Sequence, residues 1–294
     1  MVYKSRGERV FEGVIYAALG LILLIVIYPL LYVLNASFSD PMAILRGEIW
    51  LLPKGFTIDA YKRVFENQDI ISGYLNTIMY TAVGTLVNLA LTTMAAYPLS
   101  RKDFHGRNFI TICIVFTMFF SGGMIPLYLL IRDLHMLNTL WALVIPGAVS
   151  VWNIVIMRTF FQTSIPLEIQ ESAFIDGCSN IQTLFRIVLP LSMPIIAVMT
   201  LFYAVGHWNA FFNALIYLSD RSKYPLQLFL REILIQEQMD EMTSSTDDSL
   251  ANYLLQIEAL KYAVVVVANL PMLMLYPFLQ KYFVKGVMIG ALKG

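Results

Sequence analysis

The sequence predicts an all-α polytopic membrane protein with six transmembrane helices. Three observations lead there. Only 14% of the 294 residues are charged and 58% are hydrophobic, with mean hydropathy +0.68, where a soluble domain carries about 25% charge. Uncharged runs of about 20 residues recur, the length that crosses a hydrocarbon core at about 1.5 Å per residue. Backbone groups in lipid must be satisfied within the protein, so such runs are helices; a barrel would need alternating strands of about ten residues.

The first span, "VIYAALGLILLIVIYPLLYVL", covers 14–34. It is too long for a signal-peptide core and no small-residue cleavage pattern follows it, so it reads as a retained anchor. The second lies within 70–100, the third at about 108–131 and the fourth at about 136–157. The fifth begins at Ile187 and ends before Asp220; the sixth is near 262–280. Pro29, Pro126, Pro146, Pro194, Pro271 and Pro277, with Gly122-Gly123, predict bent or broken spans, tolerated where protein or a cavity covers the backbone. The chain thus divides into a tail at 1–13, a six-span domain at 14–283 and a second tail at 284–294.

Six spans return both termini to one side. Lys4, Arg6, Arg9, Arg101, Lys102, Arg107, Arg158, Arg186, Lys281, Lys285 and Lys293 fall on that side. The opposite side has nearly as many bases, but its two long loops, 37–69 and 219–260, dilute them and mix them with acids such as Asp240, Glu241, Asp247 and Asp248. The positive-inside rule therefore places both termini, and the segment 163–186, in the cytoplasm. The first long loop holds a turn signal and an amphipathic stretch in "LLPKGFTIDAYKRVF". In the second, Leu228, Leu230, Ile233, Leu234 and Met239 can share a helical face before a polar break at 243–249. This second loop, long for a mere connection, reads as a docking surface or as a solvated linker with a surface helix.

Several function classes fall away. Net charge +0 gives no basic balance for nucleic acid. Cys113 and Cys178 match no metal or redox spacing, and His105, His135 and His207 are too scattered for a metal site. There is no phosphate-loop, His-Glu-x-x-His or Gly-x-Ser-x-Gly pattern. A membrane-embedded enzyme would need acids, histidines or a nucleophile clustered at membrane depth, and the spans offer almost none.

The polar segment "ESAFIDGCSNIQTLFRIVLP", from Glu171 to Pro190, stands out between two spans. Pro166 suits a first helical turn, and Glu168 and Glu171 favour its positive end. Asp176-Gly177 is a stop signal, and Ser179 or Asn180 can cap a second helix with an apolar face of Ile181, Leu184, Phe185 and Val188. The result is a short helix, a glycine corner and a helix entering span five. It presents Glu171 and Asp176 to water or to a partner; an ordinary interfacial helix would look similar.

The spacing adds to this. Glu171-Ser172-Ala173, then Gly177, then Ile187-Val-Leu-Pro190 resembles the cytoplasmic "EAA" loop of permease subunits in binding-protein-dependent ABC importers, with Ser172 in place of the first alanine. "SGGMIPLYLLIRDLHMLNTLWALVIPG", "GHWNAFFNALIYL" and the tail "KGVMIGALKG" are similar to maltose-type carbohydrate permeases, of the kind that imports oligosaccharides cut from polysaccharides. The resemblance implies the type I ABC importer permease fold in a bacterial plasma membrane. It implies a second permease subunit forming a heterodimer, two ATPase subunits and an extracytoplasmic solute-binding protein. No cofactor is implied in this chain; ATP and Mg²⁺ belong to the ATPases.

By motif position, Glu168, Glu171, Ser172, Ala173, Asp176 and Gly177 form the coupling helix, with Ala173 against the ATPase. Gly290, Lys293 and Gly294 of the tail would reach between the ATPases; a frayed end is the plain alternative. Asn88, Asn153, Asn209, Asn213 and Asn269 lie at membrane depth, where interhelical hydrogen bonding is the commoner use. Trp208, Asn209, Phe212 and Asn213 are the substrate-path candidates, since aromatic faces stack on sugar rings and amides bond hydroxyls. A related permease for amino acids, phosphate or metals is the alternative.

Overall fold

The computed structural model describes residues 5–242, 258–275, 277 and 280. Among them all regular structure is helical. The helices are α1 Arg6–Ser37, α2 Pro41–Leu45, α3 Asp59–Glu66, α4 Gln68–Ser100, α5 Arg107–Phe116, α6 Met124–Asp133, α7 Leu140–Val144, α8 Val151–Ser164, α9 Leu167–Ile175, α10 Asn180–Leu191, α11 Met193–Trp208, α12 Phe212–Tyr217, α13 Leu226–Met242 and α14 Glu258–Leu275. They fall into two compact units, Met1–Ile71 with Phe229–Leu270, and Ser72–Leu228 with Pro271–Gly294.

In the first unit, α1 starts at a capping box in which the Ser5 hydroxyl accepts from the Glu8 amide and the Glu8 carboxylate accepts from the Ser5 amide. Its apolar stretch is unburied all round, which suits lipid or another chain. The first long loop packs around Phe38. Phe38 stacks on Tyr61 and Phe56 at 4.8 and 5.6 Å, and the Ser37 and Tyr61 hydroxyls meet at 2.7 Å. Gly55 has φ +66°, and a Cβ there would sit 2.8 Å from the Asp40 Cβ, so glycine closes this turn. In α14, Tyr262 meets Tyr32 edge-on at 6.0 Å.

Among the described residues, only α1, α4 and α14 are unbroken helices long and apolar enough to cross a membrane; α10 and α11 are a further candidate, bent by 83°. The third and fourth expected spans are not single helices. The third splits into α5 and α6 around Gly123, at φ +87°. The fourth is interrupted by Pro146-Gly147 and restarts at Ser150, whose hydroxyl accepts from the Asn153 amide at 3.4 Å. The fifth breaks before Pro194 and again at Asn209.

At the Pro146-Gly147 break and in the segment before α13, side chains of the second unit take up free backbone groups. Asn88, fully buried in α4, donates to the Gly147 carbonyl at 2.7 Å, and its oxygen meets His207 Nε2 at 2.6 Å. Thr77 accepts from the Leu226 amide at 2.8 Å, opening α13. Asn138, at φ +59°, accepts from the amides of Ser219 and Asp220. Below these, Tyr97, Ile154, Met157, Phe161, Val188 and Met199 form the core that joins α4, α8, α10 and α11. The opposing Gly84 lets the His207 ring approach: a Cβ there would lie 2.5 Å from it.

Asn88→Leu strands the Gly147 carbonyl. It should destabilise the protein by about 1–2 kcal/mol in a reversible detergent-unfolding titration. An unchanged unfolding curve would mean that Gly147 has another donor.

Candidate functional site

The segment 163–186 begins where α8 is forced to stop. Ile165 is extended because a residue before proline avoids the helical region, and Pro166 then caps α9 at φ −57°. Nine residues later α9 closes in a Schellman turn: the Gly177 amide donates to Phe174 O at 3.0 Å and the Cys178 amide to Ala173 O at 2.9 Å. Gly177 adopts φ +77° with open space around it. Ser179 immediately opens α10 through a capping box with Gln182. Two helices thus meet with only Gly177 and Cys178 between a C-cap and an N-cap.

The surfaces of this elbow differ in part from expectation. Glu168, Glu171, Ser172, Asp176 and Gly177 are exposed. Ala173 is not available to a partner: it is 3% exposed and packs within its own chain, as does Gln170. The exposed apolar tip is instead Phe174 and Ile175, at 74% and 83%. Their position just before Asp176-Gly177 was the available signal. A π-helical turn at Leu184–Val188 rotates the register of α10. Leu184 and Val188 enter the core while Ile181 and Phe185 stay exposed, so the expected four-residue apolar face is split.

Beside α9 lies a cavity of ≈560 Å³, lined by Leu167, Gln170, Glu171, Phe174 and the turn after α4. That turn is tied by Arg101, which forks onto Asp103 at 2.8 and 2.7 Å and reaches the Tyr97 hydroxyl at 3.1 Å. The Arg101 hydrogen bonds hold the Asp103 carboxyl below its usual range. Arg158 of α8 donates to Leu99 O at 2.9 Å, the last turn of α4. The helix that leads into the elbow is therefore fastened to the longest helix of its unit.

The substrate-path candidates separate. Trp208 is 2% exposed and packs edge-on against Tyr74 at 5.6 Å, away from any open cavity lining described for this unit. Asn209 donates to Val205 O and accepts from Gln227. Phe212 and Asn213 do line an open cavity of ≈590 Å³, together with Gly122, Pro126, Leu130 and Tyr217. None of its described lining residues is charged. Tyr217 was not foreseen; it follows Phe212 by five positions and stacks on Tyr128 at 6.2 Å. Gly290, Lys293 and Gly294 lie outside the described residues.

Gly177→Ala adds only backbone strain, since nothing crowds the new Cβ. It should cost about 1 kcal/mol, with partial recovery in Gly177→Asn, which tolerates the left-handed region; equal unfolding midpoints for all three would refute a strained corner. The Arg101–Asp103 pair should contribute less than about 1 kcal/mol at this exposed site. Because the folded carboxyl titrates below the ordinary range, that contribution is complete above the range and disappears as pH falls through the lowered value. The gap in thermal midpoint between wild type and Asp103→Asn should narrow accordingly below the usual carboxylate pKa.

Comparison with known proteins agrees with this architecture. The family described as "Binding-protein-dependent transport system inner membrane component" matches residues 1–289. Protein LplC of Bacillus subtilis (strain 168) is 43% identical over 293 residues, covering 100% of this chain and 98% of the relative. The polygalacturonan/rhamnogalacturonan transport system permease protein YtcP of the same organism is 41% identical over 292 residues, covering 98% and 99%. A solved bacterial ABC transporter involved in the import of the acidic polysaccharide alginate has a chain similar at TM-score 0.85 and 33% identity, covering 96% of this chain and 100% of that one.

Proposed function

This chain belongs to the binding-protein-dependent transport system inner membrane components, and we propose that it forms half of the pathway through which an oligosaccharide enters the cell. As a member it is a permease subunit of an ABC importer, a transport component rather than an enzyme. The observation that carries the mechanism is the elbow at 163–186. Its two helices are capped on both sides of a two-residue corner, so it moves as one piece with α8 and α10.

In the proposed cycle the elbow faces the cytoplasm and inserts Phe174 and Ile175 into an apolar groove of an ATPase subunit. Glu171, three residues before Phe174 and on the rim of the cavity beside α9, pairs with a basic group of that subunit. Glu168, Ser172 and Asp176 complete the polar rim. ATP and Mg²⁺ act on the partner ATPases. Closure of two ATPases draws two such elbows together, and the force passes through α8 and its Arg158 tie into α4. A second permease subunit supplies the other elbow, and an extracytoplasmic binding protein delivers the solute to the outer loops. The chain's C-terminal Gly290, Lys293 and Gly294 extend toward the ATPases.

The solute class follows from the cavity at Phe212 and Asn213 and from the similarity to permeases named for polysaccharide-derived sugars. Phe212 offers a ring face and Asn213 a donor and acceptor for hydroxyls, while the buried Tyr217, stacked on Tyr128, backs the cavity wall. With no charged residue in the described lining, selection for an acidic sugar would rest on the second permease or on the binding protein. A non-sugar solute would find little that its charge could bind in this cavity.

The test is uptake into proteoliposomes holding the complete complex, with binding protein outside and ATP inside. Labelled oligosaccharides, but not amino acids or phosphate, should accumulate. Glu171→Ala combined with Phe174→Ala should reduce uptake at least tenfold while the complex still unfolds at the wild-type temperature, a loss of about 1.4 kcal/mol or more in coupling. Full uptake in the double variant would remove the elbow from the mechanism.

A further inference from the structure

Where α4 ends and α5 begins, the chain encloses a second cavity, of ≈480 Å³, bounded by Ser100, Arg101, Lys102 and Arg107 and by Thr163 and Ser164 at the end of α8. Among the described residues no carboxylate lines it. Asp103, next to Lys102 in sequence, has both oxygens engaged by Arg101. Lys102 and Arg107 form no ion pair among the described residues; Glu171 shares the neighbouring cavity with Lys102 without bonding to it. The C-terminus of α4 would itself repel an anion, being the negative end of a helix. Its last carbonyls are covered, however: Leu99 O accepts from Arg158, Ser100 O from Gln162 and Arg101 O from Arg107. The balance at this spot is a surplus of fixed positive charge.

That charge sits at the mouth of an apolar stripe. Helix α5 starts at Arg107, and Phe109, Ile112, Cys113 and Phe116 are exposed along it. Their spacing of three, four and seven residues puts them on one face about 10 Å long. Basic pockets at the ends of spanning helices attract anionic headgroups by about 1 kcal/mol per base, and an adjoining apolar face suits acyl chains.

We propose that this cavity binds an anionic phospholipid. Lys102 and Arg107 hold its phosphodiester, the Ser164 hydroxyl donates to a remaining oxygen, and an acyl chain lies along α5; the Thr163 hydroxyl, already donated to Thr159 O at 3.0 Å, only borders the headgroup. A zwitterionic lipid is disfavoured because its amine would face the same bases. Inorganic phosphate shares the headgroup chemistry but gains nothing from the stripe. The proposal does not depend on which solute is carried.

The experiment uses the intact complex in vesicles of phosphatidylcholine, alone or mixed with phosphatidylglycerol. Retained lipid is counted by native mass spectrometry, and the thermal unfolding midpoint is recorded. Phosphatidylglycerol should be retained and should raise the midpoint. Lys102→Gln, which removes no hydrogen bond seen in the structure, and Thr163→Glu, which adds a carboxylate to the cavity, should each lower retention about fivefold. Lys102→Arg should behave as wild type. Wild-type retention in both charge variants overturns the proposal. So does an equal midpoint rise from inorganic phosphate in phosphatidylcholine vesicles, which marks a bare anion site. Loss of the ATPase subunits from the variants at unchanged lipid content also overturns it, since the cavity would then belong to a protein interface.

Discussion

Asn88 lies completely buried near the middle of α4, with its amide on the Gly147 carbonyl and its oxygen on His207. The interrupted architecture around α4 depends on contacts of this kind. Water is absent from a hydrocarbon core, so a helix that breaks there leaves backbone groups that only the protein can satisfy. The chain breaks repeatedly, at Gly123, Pro146-Gly147, Ser192 and Asn209. One long helix, α4, reaches the Pro146-Gly147 break through Asn88 and holds the segment before α13 through Asn76, on Ser222 O and Tyr224 O, and Thr77, on the Leu226 amide. The amides at membrane depth thus act first as structural partners. Gly84 belongs to the same arrangement, because only a missing side chain leaves room for the His207 ring.

The elbow applies the opposite principle. Its backbone lies where helices end, and local caps satisfy it without help from distant segments. Its anchoring is apolar: Ala173, Leu184 and Val188 turn inward, while Phe174 and Ile175 are left outside beside Glu171. Two large exposed hydrophobic side chains on a rigid, doubly capped corner are costly in water and useful against a groove. The π-turn in α10 is part of this division, since it rotates Ile181 and Phe185 away from the core that holds Leu184. The segment around the elbow is joined to α4 by the Arg158 bond at Leu99 O and by the shared core of Phe161, Val188 and Met199.

Much of this was readable beforehand. The helical class followed from charge scarcity and long uncharged runs, and the corner at Gly177 followed from Asp176-Gly177 before a Ser179 or Asn180 cap; the structure has both, with Ser179 as the cap. The first loop's turn was marked by Pro53-Lys54-Gly55, although its packing on Phe38 was not. Prolines and the Gly122-Gly123 pair announced interrupted spans without saying how short the pieces would be. Trp208 illustrates the limit. Its composition suited a sugar platform, yet Tyr74, more than a hundred residues away, covers its ring.

The sequence by itself determined what each segment can tolerate: where a chain without charge must be helical, where a proline denies an amide, and where glycine permits a left-handed turn. These are local properties of residues and their neighbours. The tertiary structure alone decided which side chains meet. Whether Ala173 or Ile175 faces outward, whether Trp208 or Tyr217 borders a cavity, and which carbonyl Asn88 holds are set by contacts between segments far apart along the chain. Within the apolar spans, hydropathy cannot tell core from lipid-facing surface, because both demand the same residues; only packing separates them.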